Sequence, residues 1–371
     1  MPTTQTSRDQ RIVMTLDAGG SSFRFSALRG GETITETLTT PSDSDQLDRC
    51  LERIRDGFKR VREQCPESPV AISFAFPGPA DYPNGIIGDL PNLPAFRGGV
   101  ALGPMLQDQF GIPVFINNDG DLFAFGEAIA GLLPWANGLL EKAGNPKRYK
   151  NLFGVTLGTG LGGGLSRNGE LFPGDNSNAS QVHLLRNKLD LSSNAEEGAS
   201  IRAVRRVYAA RAGIPLDKVP DPKSIFAIGT GASPGNREAA IEAFRLFGEV
   251  VGDVLAQALA IVDGLAVIGG GISGAAPLFL PALVSEMNAC YITRDGTKLK
   301  RLTSTVFNLN EPDQLERFLR PETCEIRVPG TQRTVPFDRV PCTGVGMSRL
   351  GTSNAISIGA YTFALQQIAG S

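Results

Sequence analysis

Three times in this chain a predicted strand runs directly into a glycine turn. The segments are Leu16-Asp17-Ala18-Gly19-Gly20-Ser21-Ser22, Leu157-Gly158-Thr159-Gly160-Leu161-Gly162-Gly163-Gly164 and Val267-Ile268-Gly269-Gly270-Gly271-Ile272-Ser273. Glycine has no Cβ to block a left-handed backbone or the approach of a ligand, so backbone N–H groups converge at such places and can bind phosphate. One such turn is more often only a turn; three in this order are harder to dismiss. None matches the P-loop pattern G-x-x-x-x-G-K-[ST]. None has the G-x-G-x-x-G arrangement with a ribose-binding acid that marks a Rossmann site.

The elements around these turns are of the α/β type. RIVMTLDAGG (11–20), SFRFSAL (22–28) and ETITETL (32–38) read as three meander strands, and Leu47, Cys50, Leu51, Ile54, Phe58 and Val61 have the spacing of an amphipathic helix. VAISFAF (70–76) and PVFIN (113–117) read as buried strands. After a helix at about 121–132, the second half restarts with NLFGVTL (151–157), an Asn168-Gly169 hairpin turn, helices at about 196–212 and 236–262, and the strand GLAVIGGG (264–271). Residues 354–369 are helical in pattern. Residues 290–352 read as an insertion of short elements, and 136–150 as a smaller polar one. With 371 residues, two domains are the expectation.

The candidate chemistry rests on carboxylates and amides, because His183 is the single histidine. Histidine-based zinc sites need two or three such ligands. The five cysteines are widely spaced with no C-x-x-C pair, which suggests no disulfide framework and fits a reducing cytoplasm. Lys+Arg 36 against Asp+Glu 38 leaves a net charge of −2, with no electrostatic footprint for nucleic acid or an anionic membrane. No apolar signal core or run of about 18 apolar residues is seen, so neither export nor membrane insertion is expected.

Asp17, at the end of a buried strand and directly before glycines and hydroxyl residues, is placed to hold Mg²⁺ or its water shell beside phosphates. Asn118 and Asp119 leave the strand PVFIN at the edge where α/β proteins bind ligands. There Asp119 can accept the proton of an attacking hydroxyl that Asn118 orients. The alternative reading is a turn and a helix cap, the role expected of Asp121.

In this order the motifs resemble the ROK family of sugar kinases (repressors, open reading frames and kinases), within the actin-like ATPase superfamily. The resemblance rests on Asp17-Ala18-Gly19-Gly20-Ser21, Asn118-Asp119, Leu157 to Gly164 and Gly269-Gly270-Gly271, with support from Phe76-Pro77-Gly78-Pro79, Leu90-Pro91-Asn92-Leu93 and Gly126-Glu127-Ala128. It implies an α/β fold of two actin-like (ribonuclease H-like) domains flanking an active-site cleft. They would span 11–119 plus 354–371, and 120–353 with the insertion at about 290–352. It implies an ATP-dependent sugar kinase acting on a hydroxyl of a hexose or hexose derivative, with a non-catalytic sugar and nucleotide sensor as the alternative.

By the same resemblance Asp17, Gly19, Gly20, Ser21, Ser22, Gly158, Thr159, Gly160, Gly269, Gly270 and Gly271 bind ATP, with Mg²⁺ at Asp17. Asn92, Asn118, Asp119, His183, Glu196 and Glu197 bind sugar, with Asp119 as the base. The family's G-E-x-G-H and C-x-C-G-x-x-G-C motifs are replaced by Ala179-Ser180-Gln181-Val182-His183 and a cysteine-free stretch, so no zinc is expected. Repressor members place a helix-turn-helix before the first strand, which here starts near residue 11, so a DNA-binding role is not expected. A cytoplasmic homodimer is implied, with no nucleic acid or membrane partner.

Overall fold

The computed structural model describes residues 9–18, 22–43, 45–88 and 94–370. They form two compact units. Unit 1 comprises the described residues of Met1–Gly131, Gly164–Ser180 and Leu350–Ser371, and unit 2 comprises Leu132–Gly163 and Gln181–Arg349. Gly19, Gly20, Ser21 and Asn92 lie outside the described residues.

Unit 1 begins with β1 (Val13–Ala18), β2 (Ser22–Arg29), β3 (Glu32–Thr33) and β4 (Leu38–Pro41), followed by helix α1 (Leu47–Gln64). Then come β5 (Ala71–Ala75), the short β6 (Ala80–Asp81) and β7 (Ile86–Ile87), α2 (Leu102–Phe110), β8 (Val114–Asn117) and α3 (Asp119–Ile129). The sheet order is β3-β2-β1-β5-β8, with β4 on β2; β2 is antiparallel to β1, while β1, β5 and β8 run parallel. Asp17 stands opposite Ala75, and Ala75 opposite Asn117. These positions form one row at the carboxyl ends of three parallel strands, and with adjacent strands ~4.8 Å apart the outer two are separated by roughly 10 Å.

Alternation along the strands gives this sheet two buried faces. On one, Phe25, Phe58 and Phe110 meet edge to face, with ring centroids of Phe25 and Phe58 5.2 Å apart, and α1 contributes Cys50, Ile54, Phe58 and Val61. On the other, Tyr361, Ala364 and Leu365 of the C-terminal helix Thr352–Gly370 pack on Val13, Leu28 and Ala71. That helix also lies against α3 at van der Waals backbone distance. A Cβ on Gly126 would strike the Ala355 carbonyl, and one on Gly359 would strike the Leu122 carbonyl.

Unit 2 starts with α4 (Leu132–Lys142) and β9 (Asn151–Leu157), followed by the start of β10 (Leu161–Arg167); from Gly164 on, β10 and β11 (Glu170–Leu171), joined by the left-handed Asn168-Gly169 turn expected from the sequence, count with unit 1. It continues with α5 (Ile201–Ala212), α6 (Pro222–Thr230), α7 (Arg237–Val262), β12 (Leu265–Gly269) and α8 (Ala276–Met287). The remaining elements are β13 (Cys290–Ile292), β14 (Lys298–Lys300), β15 (Thr305–Asn308), α9 (Pro312–Leu319), β16 (Thr323–Arg327), β17 (Thr334–Asp338) and β18 (Cys342–Met347). In the unit 2 sheet the order is β10-β9-β12-β18-β15, in which β9, β12, β18 and β15 are all parallel.

The structure differs from the sequence reading in four places. Residues 290–352 are not a simple insertion, because β15 and β18 are buried strands of the main sheet; only the hairpins β13–β14 and β16–β17 stand apart from it. The stretch read as a polar insertion at 136–150 begins inside helix α4, which runs on to Lys142. Helix α6 was not foreseen, although Asp221 accepts a bond from the Ser224 N–H as its N-cap and Pro222 opens it. The compact units divide after Gly131 rather than at Asp119, since α3 is packed by the C-terminal helix.

Candidate active site

In unit 1 the candidate side chains Asp17, Asn118 and Asp119 gather at the carboxyl ends of β1 and β8. Asn118 is the N-cap of α3: its Oδ1 accepts from the Gly120 N–H at 2.9 Å. Its Nδ2 donates to the Tyr82 hydroxyl at 3.3 Å, and that hydroxyl donates to the Phe76 carbonyl at 2.9 Å. The amide is therefore oriented at both ends, with one N–H and one lone pair left for a ligand. Tyr82 is buried, and loss of hydration pushes its phenol pKa upward, so it stays a neutral donor. Gly78 is required here, because a Cβ would lie 2.9 Å from the Tyr82 hydroxyl.

Asp119 occupies the first turn of α3, where the unpaired N–H groups favour a carboxylate; the Gly120 N–H donates to its Oδ1 at 2.9 Å. The residue is exposed at the surface of the unit, yet enough protein surrounds its carboxyl that loss of hydration is the first cause raising its pKa. The Gly120 amide opposes this, and the negative charge of Asp17 adds to it. Asp17 is half-buried at the end of β1. Two carboxylates that repel across one row of strand ends are a hard-oxygen donor set, which suits a divalent cation.

Asp121 does not cap the helix, since Asn118 does. It is 4% exposed, its Oδ1 has no hydrogen-bond partner, and burial followed by the charge of Asp119 lifts its pKa to about 8. Beneath it Gly164 must be glycine, because a Cβ there would strike the Gly120 carbonyl. Glu127 is fully buried and accepts from the Leu350 N–H at 3.0 Å, tying α3 to the start of the C-terminal helix.

In unit 2 the two described glycine turns sit side by side. Gly158 follows β9, and Gly270-Gly271 follow β12, its parallel neighbour, whose last residue Gly269 stands opposite Thr156. The Ile272 N–H donates to the Leu157 carbonyl at 3.0 Å, and Gly270, with φ +94°, is pressed so closely on Leu157 that no side chain fits. Thr159 and Gly271 are exposed. The first of these turns is closed by the Gly158 N–H donating to the Gly160 carbonyl at 3.0 Å.

Glu196 is brought to this turn: its Oε2 accepts from the Leu161 N–H at 3.1 Å, and a Cβ on Gly160 would lie 2.5 Å from the same oxygen. Glu197 pairs with Arg202 at 3.2 Å, which Glu196 also engages at 3.2 Å, and with Arg206 at 2.9 Å; hydrogen bonds from Arg206 and Arg202 lower its pKa. His183 is half-buried in a short turn, Val182–Leu184. The Ala195 N–H donates to the Leu185 carbonyl at 2.6 Å, which holds that turn beside the Ala195–Glu197 turn. The cysteine-free stretch between them is laced by hydrogen bonds, with the Asn187 amide on the Ser193 hydroxyl and Asp190 on the Ser192 N–H and hydroxyl. Ser22 begins β2 in unit 1.

Sequence reasoning did not find Tyr82 or the buried state of Asp121. Tyr82 lies in the turn Asp81-Tyr82-Pro83-Asn84-Gly85, whose composition signals only a turn.

The profile of the ROK family matches residues 13–307. The chain belongs to the ROK family. A crystal structure of a glucokinase from Parabacteroides distasonis is 53% identical to it, covers 97% of this chain and 99% of its own, and superposes with a TM-score of 0.89. Among curated relatives, a glucokinase of Thermotoga maritima is 27% identical over 289 residues, covering 72% of this chain and 84% of that protein. An N-acetyl-D-glucosamine kinase of Vibrio cholerae is 30% identical over 176 residues, covering 47% of this chain and 52% of that protein. That match therefore spans about half the length of the N-acetyl-D-glucosamine kinase. The α/β strand order of this ROK chain is that of the actin-like fold to which ROK sugar kinases belong.

Proposed function

We propose that the protein is an ATP-dependent sugar kinase that phosphorylates a hydroxyl, the primary one by preference, of a hexose or hexose derivative. The observation that carries this is the Asn118-Asp119 pair. A carboxylate stands at a helix N-terminus beside an asparagine whose amide is locked by Tyr82 and Gly120. Asn118 would fix the acceptor hydroxyl and Asp119 would take its proton as the oxygen attacks the γ-phosphoryl group, leaving ADP. The names of the relatives, glucokinase and N-acetyl-D-glucosamine kinase, support a hexose-type acceptor.

Amides of Gly158 to Gly160 and Gly269 to Gly271 supply nucleotide contacts in unit 2, with Gly19, Gly20, Ser21 and Ser22 on the phosphates in unit 1. Magnesium, when bound near Asp17, neutralises phosphate charge; Asp17 fits that role as a half-buried hard-oxygen ligand whose repulsion of Asp119 a cation would relieve. Glu196, anchored to the Leu161 amide, and His183 on the adjoining turn supply further sugar contacts, with Asn92 and Glu197 as additional candidates. The five free thiols fit action in the cytoplasm, and the expected homodimer is checked by light scattering.

The deciding assay is ADP release over a panel of hexoses, amino sugars and N-acylated sugars, run beside a nucleotide-binding measurement. Turnover on one sugar class supports the reading. ATP binding without turnover on any sugar would replace it with that of a sugar sensor.

A further inference from the structure

Unit 2 holds a cavity of about 330 Å³ that none of the residues discussed above lines. It is bounded by the Asn145–Lys147 segment, Phe307 of β15, Arg317 of α9, the β16–β17 hairpin and Cys342, the first residue of β18. β18 runs parallel to β12 and β9, and the glycine turns follow the carboxyl ends of those strands. Cys342 and the segment before Asn151 mark their amino ends. The cavity therefore lies at the opposite end of the unit 2 sheet from the glycine turns.

Its cations are held by rings as well as by acids. The Arg317 guanidinium sits over Phe307, 5.3 Å from the ring centroid, and no carboxylate among the described residues forms an ion pair with it. Lys147 Nζ lies 5.2 Å from the Tyr149 centroid, donates to the Cys342 carbonyl at 3.0 Å and stands 3.7 Å from Asp338, a loose pair. Tyr149 is itself fixed, stacked on Phe318 at 5.6 Å and donating to the Cys342 carbonyl at 2.6 Å. A guanidinium over a ring face that forms no ion pair still has N–H donors to offer an oxyanion. Asp338 and Glu322 in the same wall accept hydrogen bonds from hydroxyls, and Pro321 and Pro336 offer apolar surface to a small ring. The volume is at the lower end of those that enclose small molecules.

We propose that this cavity binds a small hydroxylated molecule carrying one oxyanion, a sugar phosphate or a sugar acid, with Arg317 as the principal anchor and Lys147 as the second. The inference is independent of the catalytic reading, since no residue is shared.

The test is hydrogen exchange on the full chain, followed over residues 323–338, with glucose 6-phosphate, gluconate and inorganic phosphate as separate probes. The paired strands Thr323–Arg327 and Thr334–Asp338 stand alone as a two-stranded hairpin, so bound ligand should slow their exchange. The expected result is saturable protection there by at least one organic probe, weakened about tenfold or more by Arg317→Gln and by Lys147→Gln, and unchanged by Asp119→Asn. Protection by glucose 6-phosphate alone names the phosphate ester, and by gluconate alone the carboxylate. Absence of protection with every probe, or protection that persists in folded Arg317→Gln and Lys147→Gln, overturns the proposal. So does protection by inorganic phosphate with none by the organic probes.

Discussion

The side-chain amide of Asn118 donates to the hydroxyl of Tyr82 at 3.3 Å, and the same hydroxyl donates to the Phe76 carbonyl. A residue from the turn after β5 thus aims the asparagine beside the proposed base. Tyr82→Phe removes both bonds and leaves the carbonyl of Phe76 without its donor, at a stability cost of about 1–3 kcal/mol. Steady-state kinetics should show kcat/KM for the sugar falling about tenfold, while the affinity for nucleotide is retained. Unchanged kinetics would mean that Asn118 needs no such support.

Asp119→Asn removes the proton acceptor and the repulsion from Asp17 together. Sugar-dependent ADP release should drop by roughly 10²–10⁴, with nucleotide binding intact. In the wild type the base must be ionised, and its pKa is raised. The acid limb of the kcat/KM profile is therefore expected above the ordinary aspartate value of 3.8. Retained turnover in the variant would remove Asp119 from the mechanism.

Asp121 is expected to make stability depend on pH. Its folded pKa of about 8 lies above the ordinary 3.8, so the folded state binds this proton more tightly than the unfolded chain. The contribution is fully present below pH 3.8 and is lost as pH rises through about 8. Asp121→Asn keeps the shape without the charge. Thermal melts should show the variant gaining on the wild type as pH increases from 4 to 8, and parallel curves would contradict the raised pKa of this buried carboxyl.

Glu196 and Glu197 are neighbours that share Arg202, but Glu196 also holds the Leu161 amide and Glu197 also pairs with Arg206. Glu196→Gln replaces a charged acceptor at the Leu161 amide, whereas Glu197→Gln loosens only its arginine pairs. The first should raise KM for sugar or nucleotide by about tenfold. The second should change either constant by less than about threefold, because its ion pairs are largely exposed. Equal effects would argue against the distinction.

Gly126→Ala places a methyl group against the Ala355 carbonyl. Overpacking of this kind costs about 1–3 kcal/mol or more, and the loss should appear as a lower midpoint in urea unfolding. A midpoint equal to that of the wild type would show that the two helices can separate freely.

What could be read from the residues followed from how local each signal is. The placement of Asp17, Asn118 and Asp119 at strand ends was legible because buried strands ending in glycine, asparagine and aspartate have a short-range pattern with a chemical reason. Thr305–Asn308 and Cys342–Met347 were not, since one strand is only four residues long and the other carries two glycines. Tyr82 was hidden in a turn whose composition says nothing of where its hydroxyl points. The division at Gly131 depends on Gly126 meeting Ala355 and Gly359 meeting Leu122, contacts that no local periodicity encodes.

The pairing of α3 with the helix Thr352–Gly370 also sets an order of assembly. More than 200 residues separate the two, so on the ribosome every residue of unit 2 is polymerised before the face formed by β1, β5 and α3 can receive its cover. During that interval Val13, Leu28, Ala71 and Leu122 are apolar surface awaiting a late arrival. The proposed base stands on a helix that is clasped only when synthesis is nearly finished, and chains cut short before Thr352 are left with that surface bare.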